Sequence, residues 1–378
     1  MNTASLFVQS LCHGDTQFLF QRMGDALHVP DKATFMIWEA LQAGIAASDI
    51  AAALAEANPA ADCQRDVAAL QAQWVQLGLL GVAQPATDTP HFSHYFQPAL
   101  DTVCVTTNQQ ALHDYLQTLY PGVVPPPPSV GTAHLHIAFD PAQATYTLWQ
   151  DGQHQADCPS FDDAVITAVF LIGEIATHEE PRLLVCHAAA VQCQGAAVLM
   201  PAAAGKGKST LTAMLLQHGC QLINDDIVPV NHDGSITAIQ QPLKIKSGAW
   251  EVLSKHYPAL HTYPAHTRSD GQQMKHLPLS NGRCAAGERL WVSLMVVPEY
   301  RQGQAGITTQ ALSETEKLQH FITAQPFFTH PLTRPYLQRV LSWLAAIPAY
   351  RVVYSDGAAA VALIETLILQ THLPKDTA

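Results

Sequence analysis

Residues 196–230 read AAVLMPAAAGKGKSTLTAMLLQHGCQLINDDIVPV, and this stretch decides the fold. The apolar run 196–200 predicts a buried strand, and a loop of small residues follows it. A helical pattern begins at Lys208 and ends before Gly219, which is typical of a helix C-cap. The run 220–223 then predicts a second buried strand. Strand, loop, helix and strand in this order are the setting of a phosphate-binding loop.

The loop carries residue types that hold nucleotide phosphates. Gly205 and Gly207 let backbone N–H groups turn toward a phosphate. Lys208 can reach the β and γ oxygens, and the Ser209 hydroxyl suits Mg²⁺. The predicted nucleotide-binding residues of the loop are Ala204, Gly205, Lys206, Gly207, Lys208, Ser209 and Thr210. The sequence therefore predicts a binding site for a nucleotide with Mg²⁺.

One position departs from the usual loop pattern. Where a glycine is expected, upstream of the Gly-Lys pair, this chain has Ala202. Alanine tolerates positive φ poorly, so the loop either begins in ordinary backbone conformation or is strained there. The alternative is a turn of small residues with an accidental Gly-Lys-Ser. The paired acids Asp225 and Asp226, which follow the second strand, favour the nucleotide site.

Length and composition exclude several classes of protein. The chain has 378 residues, enough for two or three domains. Only 13% of residues are charged and 48% are hydrophobic, which indicates a globular rather than a disordered chain. With 19 Lys and Arg against 31 Asp and Glu, the net charge of −12 gives no electrostatic footprint for nucleic acid or an anionic membrane.

The cysteines and the N-terminus favour a cytoplasmic location. The eight cysteines show no Cys-x-x-Cys spacing and several lie in apolar runs, which predicts reduced core thiols. The first residues, MNTASLFVQSLCHGD, lack a basic region, and the apolar run 164–172 is interrupted by Gly173 and Glu174. We therefore expect neither a signal peptide nor a spanning helix.

The first 86 residues predict a small separate domain. Residues 16–29 have the pattern of a β-hairpin, and three helical patterns follow up to residue 78. The sequence segments DKATFMIWEALQAG and LGLL, at the start and end of the three helices, resemble the PqqD-like family of leader-peptide-recognition modules. The resemblance, over about residues 16–82, implies a winged-helix-like α+β domain. It also implies that a peptide adds to the hairpin edge, with the third helix as the other wall. Residues 87–98 predict a linker.

A second resemblance covers roughly residues 100–370, within a predicted domain of residues 98–378. The run LLVCHAAAV at 183–191 predicts one buried strand carrying His187, followed by a turn, the loop strand, the helix and the paired acids. This series resembles the HPr serine kinase/phosphorylase superfamily, and especially its kinase-like relatives in peptide biosynthetic clusters. It implies an α/β P-loop kinase core of the HPr kinase/PEP carboxykinase type. The N-terminal lobe would be 98–180 and the nucleotide-binding core 181–378.

The resemblance also implies roles for the residues around the loop. Asp226 is then the catalytic base, and Asp225 lies near Mg²⁺ and His187, although the two aspartates can exchange roles. Ser209 and Asp225 are the implied metal ligands. His187 would steer the protonation of the acids, whereas a lone histidine on an apolar strand is otherwise a satisfied core residue.

Two basic residues farther along the chain complete the predicted site. Arg268 and Lys244 would stabilise the transferring phosphoryl group, and Lys244 is counted with the nucleotide-binding residues. Lys246 competes with Lys244 for that role, and a solvated surface charge is the alternative for each.

The functional hypothesis is a cytoplasmic, ATP-dependent kinase that uses Mg²⁺ and phosphorylates a Ser or Thr hydroxyl of a ribosomally made precursor peptide. The N-terminal domain would bind the leader of that peptide. Two rivals remain open: a kinase of a small molecule such as a free amino acid, and a non-catalytic peptide-binding chaperone with a decayed nucleotide site. The HPr kinases are oligomeric, which implies a homo-oligomer, but no periodic interface pattern is visible in the sequence.

Overall fold

The computed structural model describes residues 8–13, 16–21, 26–43, 45–59, 61–76, 79–80, 92–120, 122, 132–203, 205–279, 281–324 and 326–372. Contacts within the chain define two compact units. One comprises residues 1–92, 106–109 and 134–160, and the other comprises 93–105, 110–133 and 161–378. The division into domains 1–86 and 98–378 stays a prediction about which parts fold independently.

The described segments form runs of strands and helices along the chain. The strands are β1 Val8–His13, β2 Thr16–Gln21, β3 Ala26–His28, β4 Phe92–Phe96, β5 Thr102–Thr107, β6 Thr132–Asp140, β7 Thr145–Gln150, β8 Gln153–Cys158, β9 Arg182–Cys186, β10 Ala188–Cys193, β11 Ala196–Pro201, β12 Gln221–Asn224, β13 Val228–Asn231, β14 Ser235–Thr237, β15 Leu243–Lys246, β16 His266–Thr267, β17 Gln273–Leu277, β18 Arg289–Tyr300, β19 Thr308–Ala311, β20 Phe327–Phe328 and β21 Ala349–Tyr354. The helices are α1 Lys32–Gln42, α2 Ala47–Ala57, α3 Cys63–Gln76, α4 Gln110–Leu119, α5 Phe161–His178, α6 Lys208–Gln217, α7 Trp250–Ser254, α8 Glu314–Thr323, α9 Arg334–Ala346 and α10 Gly357–His372.

The N-terminal region combines a small sheet with three helices. Strands β1, β2 and β3 pair in that order, all antiparallel, so the predicted hairpin is confirmed as β2–β3 and β1 is an additional strand. Helices α1 and α3 bury Phe35, Trp38 and Trp74 in one cluster. The indole of Trp38 donates to the Leu79 carbonyl at 2.7 Å, which ties the end of the region to α1. The predicted linker 87–98 is wrong over Phe92–Phe96, which forms β4, and residues 87–91 lie outside the described ranges.

A ten-stranded sheet carries the core of the second unit. Eight of its strands follow the order β12-β10-β11-β18-β14-β13-β9-β20, and β21 joins β18 in parallel, with β19 on its far side. Alternate residues of β11 enter different clusters: Val198 packs with α6 and α10, whereas Leu199 packs with α8 and α9. The sheet is therefore buried on both faces, which accounts for strands that read as continuous apolar runs.

The segment 183–191 forms two strands rather than the one predicted. β9 ends at Cys186 and β10 begins at Ala188, and the two strands are not neighbours in the sheet. β9 pairs with β13, whereas β10 pairs with β11 and β12. An apolar run gives no sign of such a change of partners, because both strands are buried on both faces. The change occurs at His187.

Two cysteines form a disulfide, so the prediction of reduced thiols is wrong for this pair. Cys193 ends β10 and Cys220 follows α6, and their sulfurs are bonded. The antiparallel register of β10 with β12 places Gln192 opposite Gln221, which brings the two adjoining cysteines together. Among the other cysteines that the structure describes, Cys63, Cys104, Cys186 and Cys284 form no disulfide.

Helix α5 is the long apolar helix predicted from residue 161, and it is a core element. It has 18 residues, and Leu171, Ile172 and Ala176 are fully buried. Glu174 is also buried within it. Among the described residues, no helix has both the length and the apolar character needed to cross a bilayer.

Candidate functional site

The loop between β11 and α6 contains two glycines with a left-handed backbone conformation. Gly205 and Gly207 have φ values of 81° and 88°, in the left-handed region that glycine adopts without strain. Gly207 is the N-cap of α6, and no side chain caps the first N–H groups of that helix. These groups, together with the positive end of the helix dipole, form a binding surface for an anion. Ala204 lies outside the described residues.

Lys208 is buried at the start of α6, with 7% of its surface exposed. Its ammonium donates to the Ala202 carbonyl at 3.3 Å. Burial lowers the pKa of Lys208, and the nearby carboxylates of Asp225 and Asp226 oppose that effect. A buried ammonium with one carbonyl partner has donors left for a further anion.

The conformation at Ala202 settles how the loop begins. Residues with positive φ other than glycine, within the described ranges, are Ala144, Asp151, Gln194 and Asp226, so Ala202 has ordinary backbone. Its side chain is buried and its carbonyl holds Lys208. The alanine therefore does not strain the loop, and this departure from the usual pattern gives no support to a decayed site.

Ser209 and Asp225 face each other across the loop. The Ser209 hydroxyl lies 3.2 Å from both carboxylate oxygens of Asp225. Asp225 is 2% exposed, and burial raises its pKa, as does the charge of Asp226. Lys208 and Lys244 oppose this rise. Asp225 is therefore a desolvated carboxyl group next to the hydroxyl of Ser209, in the first turn of α6.

Asp226 lies between two basic side chains. One carboxylate oxygen is 3.0 Å from His187 Nε2, and the other is 3.0 Å from Lys244 Nζ. Lys244 first, and then His187, hold the pKa of this carboxyl well below its usual range. The side chain is still 40% exposed, so a substrate can reach it. Its φ of 79° is unusual for a residue other than glycine and turns the chain sharply after Asp225.

The sheet register explains why His187 reaches Asp226. Val228 of β13 is opposite Cys186 of β9, so the residues just beyond this pair meet at the end of both strands. Those residues are His187 and the turn that contains Asp226. His187 was expected beside the paired acids, and the described contact joins its Nε2 to Asp226 at 3.0 Å.

Of the two competing lysines, Lys244 reaches the acids. Leu243 and Ile245 of β15 point into the core, so Lys244 and Lys246 share the opposite face of the strand. Lys244 pairs with Asp226, whereas Lys246 is exposed.

Arg268 lies in the turn between β16 and β17, where it forms an exposed ion pair with Asp270 at 2.9 Å. Its backbone N–H donates to the Gln272 carbonyl, just before β17. Four residues farther along the chain is His276, which lies opposite Lys244 in the pairing of β15 with β17. At roughly 3.3 Å per residue, Arg268 is more than about 10 Å along the sheet from Lys244. A role for Arg268 at the acids stays a prediction.

Two tyrosines, at the ends of β18 and β21, pack against Gly207 of the loop. A Cβ atom added to Gly207 would lie 3.0 Å from Tyr300 Cβ and 3.0 Å from the Tyr354 hydroxyl. The Tyr300 N–H donates to the carbonyl of the exposed Lys206 at 3.3 Å. Thr210 is half-buried in the first turn of α6. The sequence predicted no chemistry at these tyrosines, and the available signal was an aromatic residue at the end of each strand.

Substitution of Asp225 by Asn is expected to stabilise the protein at neutral pH. The raised pKa means that folding disfavours the charged form of Asp225, so this group destabilises the folded state above its unfolded pKa, near 3.8. The amide can still accept from Ser209. We expect the thermal midpoint at pH 7 to rise by about 2–4 °C per kcal/mol gained, and the two proteins to converge below pH 3.8.

Calorimetric unfolding of both proteins between pH 3 and pH 8 measures this effect. A lower midpoint for Asp225→Asn at pH 7 would show that the carboxylate is favourably paired in the folded protein.

Comparisons with known proteins give limited information. Neither the known protein families nor the curated proteins include a match to this chain. Among solved structures, the HPr(Ser) kinase/phosphatase from Coxiella burnetii is 16% identical, over 49% of this chain and 88% of that chain, with a TM-score of 0.24. A score this low assigns neither a fold nor a function to this chain.

Proposed function

We propose that this protein is a phosphotransferase that moves the γ-phosphoryl group of ATP to a hydroxyl group. One observation carries the proposal: two acids with opposite environments lie beside a phosphate-binding loop. Asp225 is buried against Ser209, whereas Asp226 is accessible and paired with Lys244 and His187. A site that only binds nucleotide has no need of the second group.

The donor set beside the loop fits Mg²⁺. The Ser209 hydroxyl and the Asp225 carboxylate are hard oxygen ligands, and Mg²⁺ is commonly bound by one or two such groups together with substrate phosphates. Within the described residues there is no cluster of three or more His, Cys, Asp or Glu that would form a metal cage without substrate. Bound Mg²⁺ would neutralise charge on the phosphates.

The chain's own residues divide the remaining work. The loop amides and Lys208 bind the phosphates, and Lys244 adds positive charge on the acceptor side. Asp226 accepts a hydrogen bond from the acceptor hydroxyl and orients its oxygen toward phosphorus. As the new O–P bond forms, the bond to the bridging oxygen breaks, ADP leaves, and the hydroxyl proton passes to Asp226.

A low pKa for Asp226 is compatible with this role. In phosphoryl transfer the transition state is loose, so orientation of the hydroxyl matters more than its early deprotonation. His187 Nε2 lies 3.0 Å from the same carboxylate and helps to hold it in place for the acceptor hydroxyl.

For the acceptor, we propose a Ser or Thr hydroxyl of a peptide. The support is the order β1-β2-β3 of the N-terminal sheet, which leaves the outer edges of β1 and β3 open within the described residues. An extended peptide can add to such an edge as a further strand. The hairpin edge on the β2 side is taken by β1, so the peptide strand would add beside β3 or β1. The resemblance to leader-recognition modules supports the same class of acceptor, and a cytoplasmic location is part of the same proposal.

The acceptor class is tested by incubating the protein with ATP, Mg²⁺ and either free serine or a serine-containing precursor peptide encoded beside its gene. Mass spectrometry should show a gain of one phosphate on the peptide alone. A gain on free serine without one on the peptide would establish the small-molecule kinase instead. Nucleotide binding with no transfer to either acceptor would favour the binding protein.

A further inference from the structure

Four strands that point the same way, β11, β12, β18 and β21, end at one edge of the ten-stranded sheet. β11 is parallel to β18, which is parallel to β21, and β12 runs with them because both it and β11 are antiparallel to β10. Ligands of α/β sheets bind at the carboxyl ends of such strands. Groups found at these ends therefore face one ligand.

The acids and the tyrosines lie on opposite sides of the loop along this edge. In the strand order, β12 and β10 lie on one side of β11, and β18 and β21 lie on the other. The first pair of strands leads to Asp225, Asp226 and His187. The second pair ends at Tyr300 and Tyr354.

This order fixes the direction in which a bound nucleotide extends. In the proposed reaction the γ-phosphate lies next to Lys208 and faces Asp226. The rest of the nucleotide must then run along the loop away from the acids, so the nucleoside reaches the ends of β18 and β21.

An exposed aromatic ring is held at that place. Tyr300 is 48% exposed although it ends a core strand. Its N–H donates to the loop carbonyl of Lys206, and its Cβ closely approaches Gly207. The ring meets that of the buried Tyr354 in an edge-to-face contact, with centroids 5.9 Å apart. The backbone contacts fix the position of Tyr300, and the contact with Tyr354 restricts its ring, so less side-chain entropy is lost on binding.

We propose that Tyr300 is the platform on which the nucleobase of ATP stacks. This inference rests on the proposed function, because it takes the direction of the nucleotide from the position of the acids. Stacking on one aromatic face tolerates any base, so ATP and GTP should bind with similar affinity.

The test compares ATP with inorganic tripolyphosphate, which has the phosphate chain but no base, by titration calorimetry in the presence of Mg²⁺. Tyr300→Ala should weaken ATP binding at least about fivefold and leave tripolyphosphate binding unchanged. Tyr300→Leu, which keeps an apolar contact beside Gly207, should show the same selective loss, and Tyr300→Phe should bind ATP as the wild type does. Trp291→Ala is the matched control, since it removes another exposed aromatic, 64% exposed, from the opposite end of β18.

The outcomes separate this inference from the proposed function. Equal ATP affinity of the wild type and the folded Tyr300→Ala and Tyr300→Leu variants would overturn the stacking role and leave the kinase site intact. Parallel losses for ATP and tripolyphosphate would do the same, because they would show that Tyr300 only shapes the loop. Failure of the wild-type protein to bind ATP would overturn both.

Discussion

Asp226→Asn is expected to lower kcat for phosphoryl transfer by about 10²–10⁴-fold, the usual effect of a positioned general base. The substitution removes the negative charge that pairs with Lys244 and His187 and that accepts the bond from the acceptor hydroxyl. KM for ATP should change little, because Asp226 faces the acceptor while Lys208 and the loop hold the phosphates. Steady-state kinetics with both substrates varied measures the two effects separately.

Asp101→Asn is the matched control, since it removes the same charge from an exposed aspartate outside the site. Its kinetics should equal those of the wild type. Transfer by Asp226→Asn within tenfold of the wild-type rate would contradict the role given to Asp226 and would move the base to another group.

Lys208→Gln is expected to lower kcat/KM for ATP by about 10²–10³-fold, as the loss of one preorganised donor does in a buried site. The ammonium of Lys208 is buried and donates to the Ala202 carbonyl. Because the dielectric constant is low there, its attraction for a bound phosphate is stronger than it would be in water. Titration with ATP should show the loss in binding as well, in contrast to Asp226→Asn.

Lys255→Gln serves as the control for that experiment, because Lys255 is exposed at the end of α7. It should bind ATP with the affinity of the wild type. Equal binding by Lys208→Gln would show that the nucleotide does not occupy this loop, and the proposed function would fall with it.

The loop and its flanking elements could be predicted because their signals are local. The run 196–200, the Gly-Lys-Ser motif and the C-cap glycine define β11 and α6 almost to the residue. Helix α8 follows in the same way from a capping box in which Ser313 and Glu316 exchange hydrogen bonds. Each of these signals lies within a few residues of the element that it defines.

The partners within the site could not be predicted, because they depend on which strands pair. His187 was expected beside the paired acids, and the pairing of β9 with β13 decides that its contact is with Asp226. Lys244 and Lys246 lie on the same face of β15, and only the fold shows that Lys244 pairs with Asp226. The periodicity of apolar residues indicates which face of a strand is buried, but it does not indicate which strand pairs with it.

The disulfide and the tyrosines were missed for the same reason. Cys193 and Cys220 become neighbours only because β10 lies beside β12. Tyr300 and Tyr354 meet Gly207 only because β18 and β21 continue the sheet on the far side of β11. These contacts join residues 27 or more positions apart in the sequence.

The central claim is that this site transfers the γ-phosphoryl group of ATP to an acceptor hydroxyl. The most direct measurement uses ATP with ¹⁸O in its γ-phosphate, together with Mg²⁺ and the acceptor, and follows the label by mass spectrometry. We expect a phosphoester on the acceptor that retains the labelled non-bridging oxygens, formed by the wild-type protein and lost in Asp226→Asn. Labelled inorganic phosphate as the sole labelled product, with the acceptor unchanged, would contradict it.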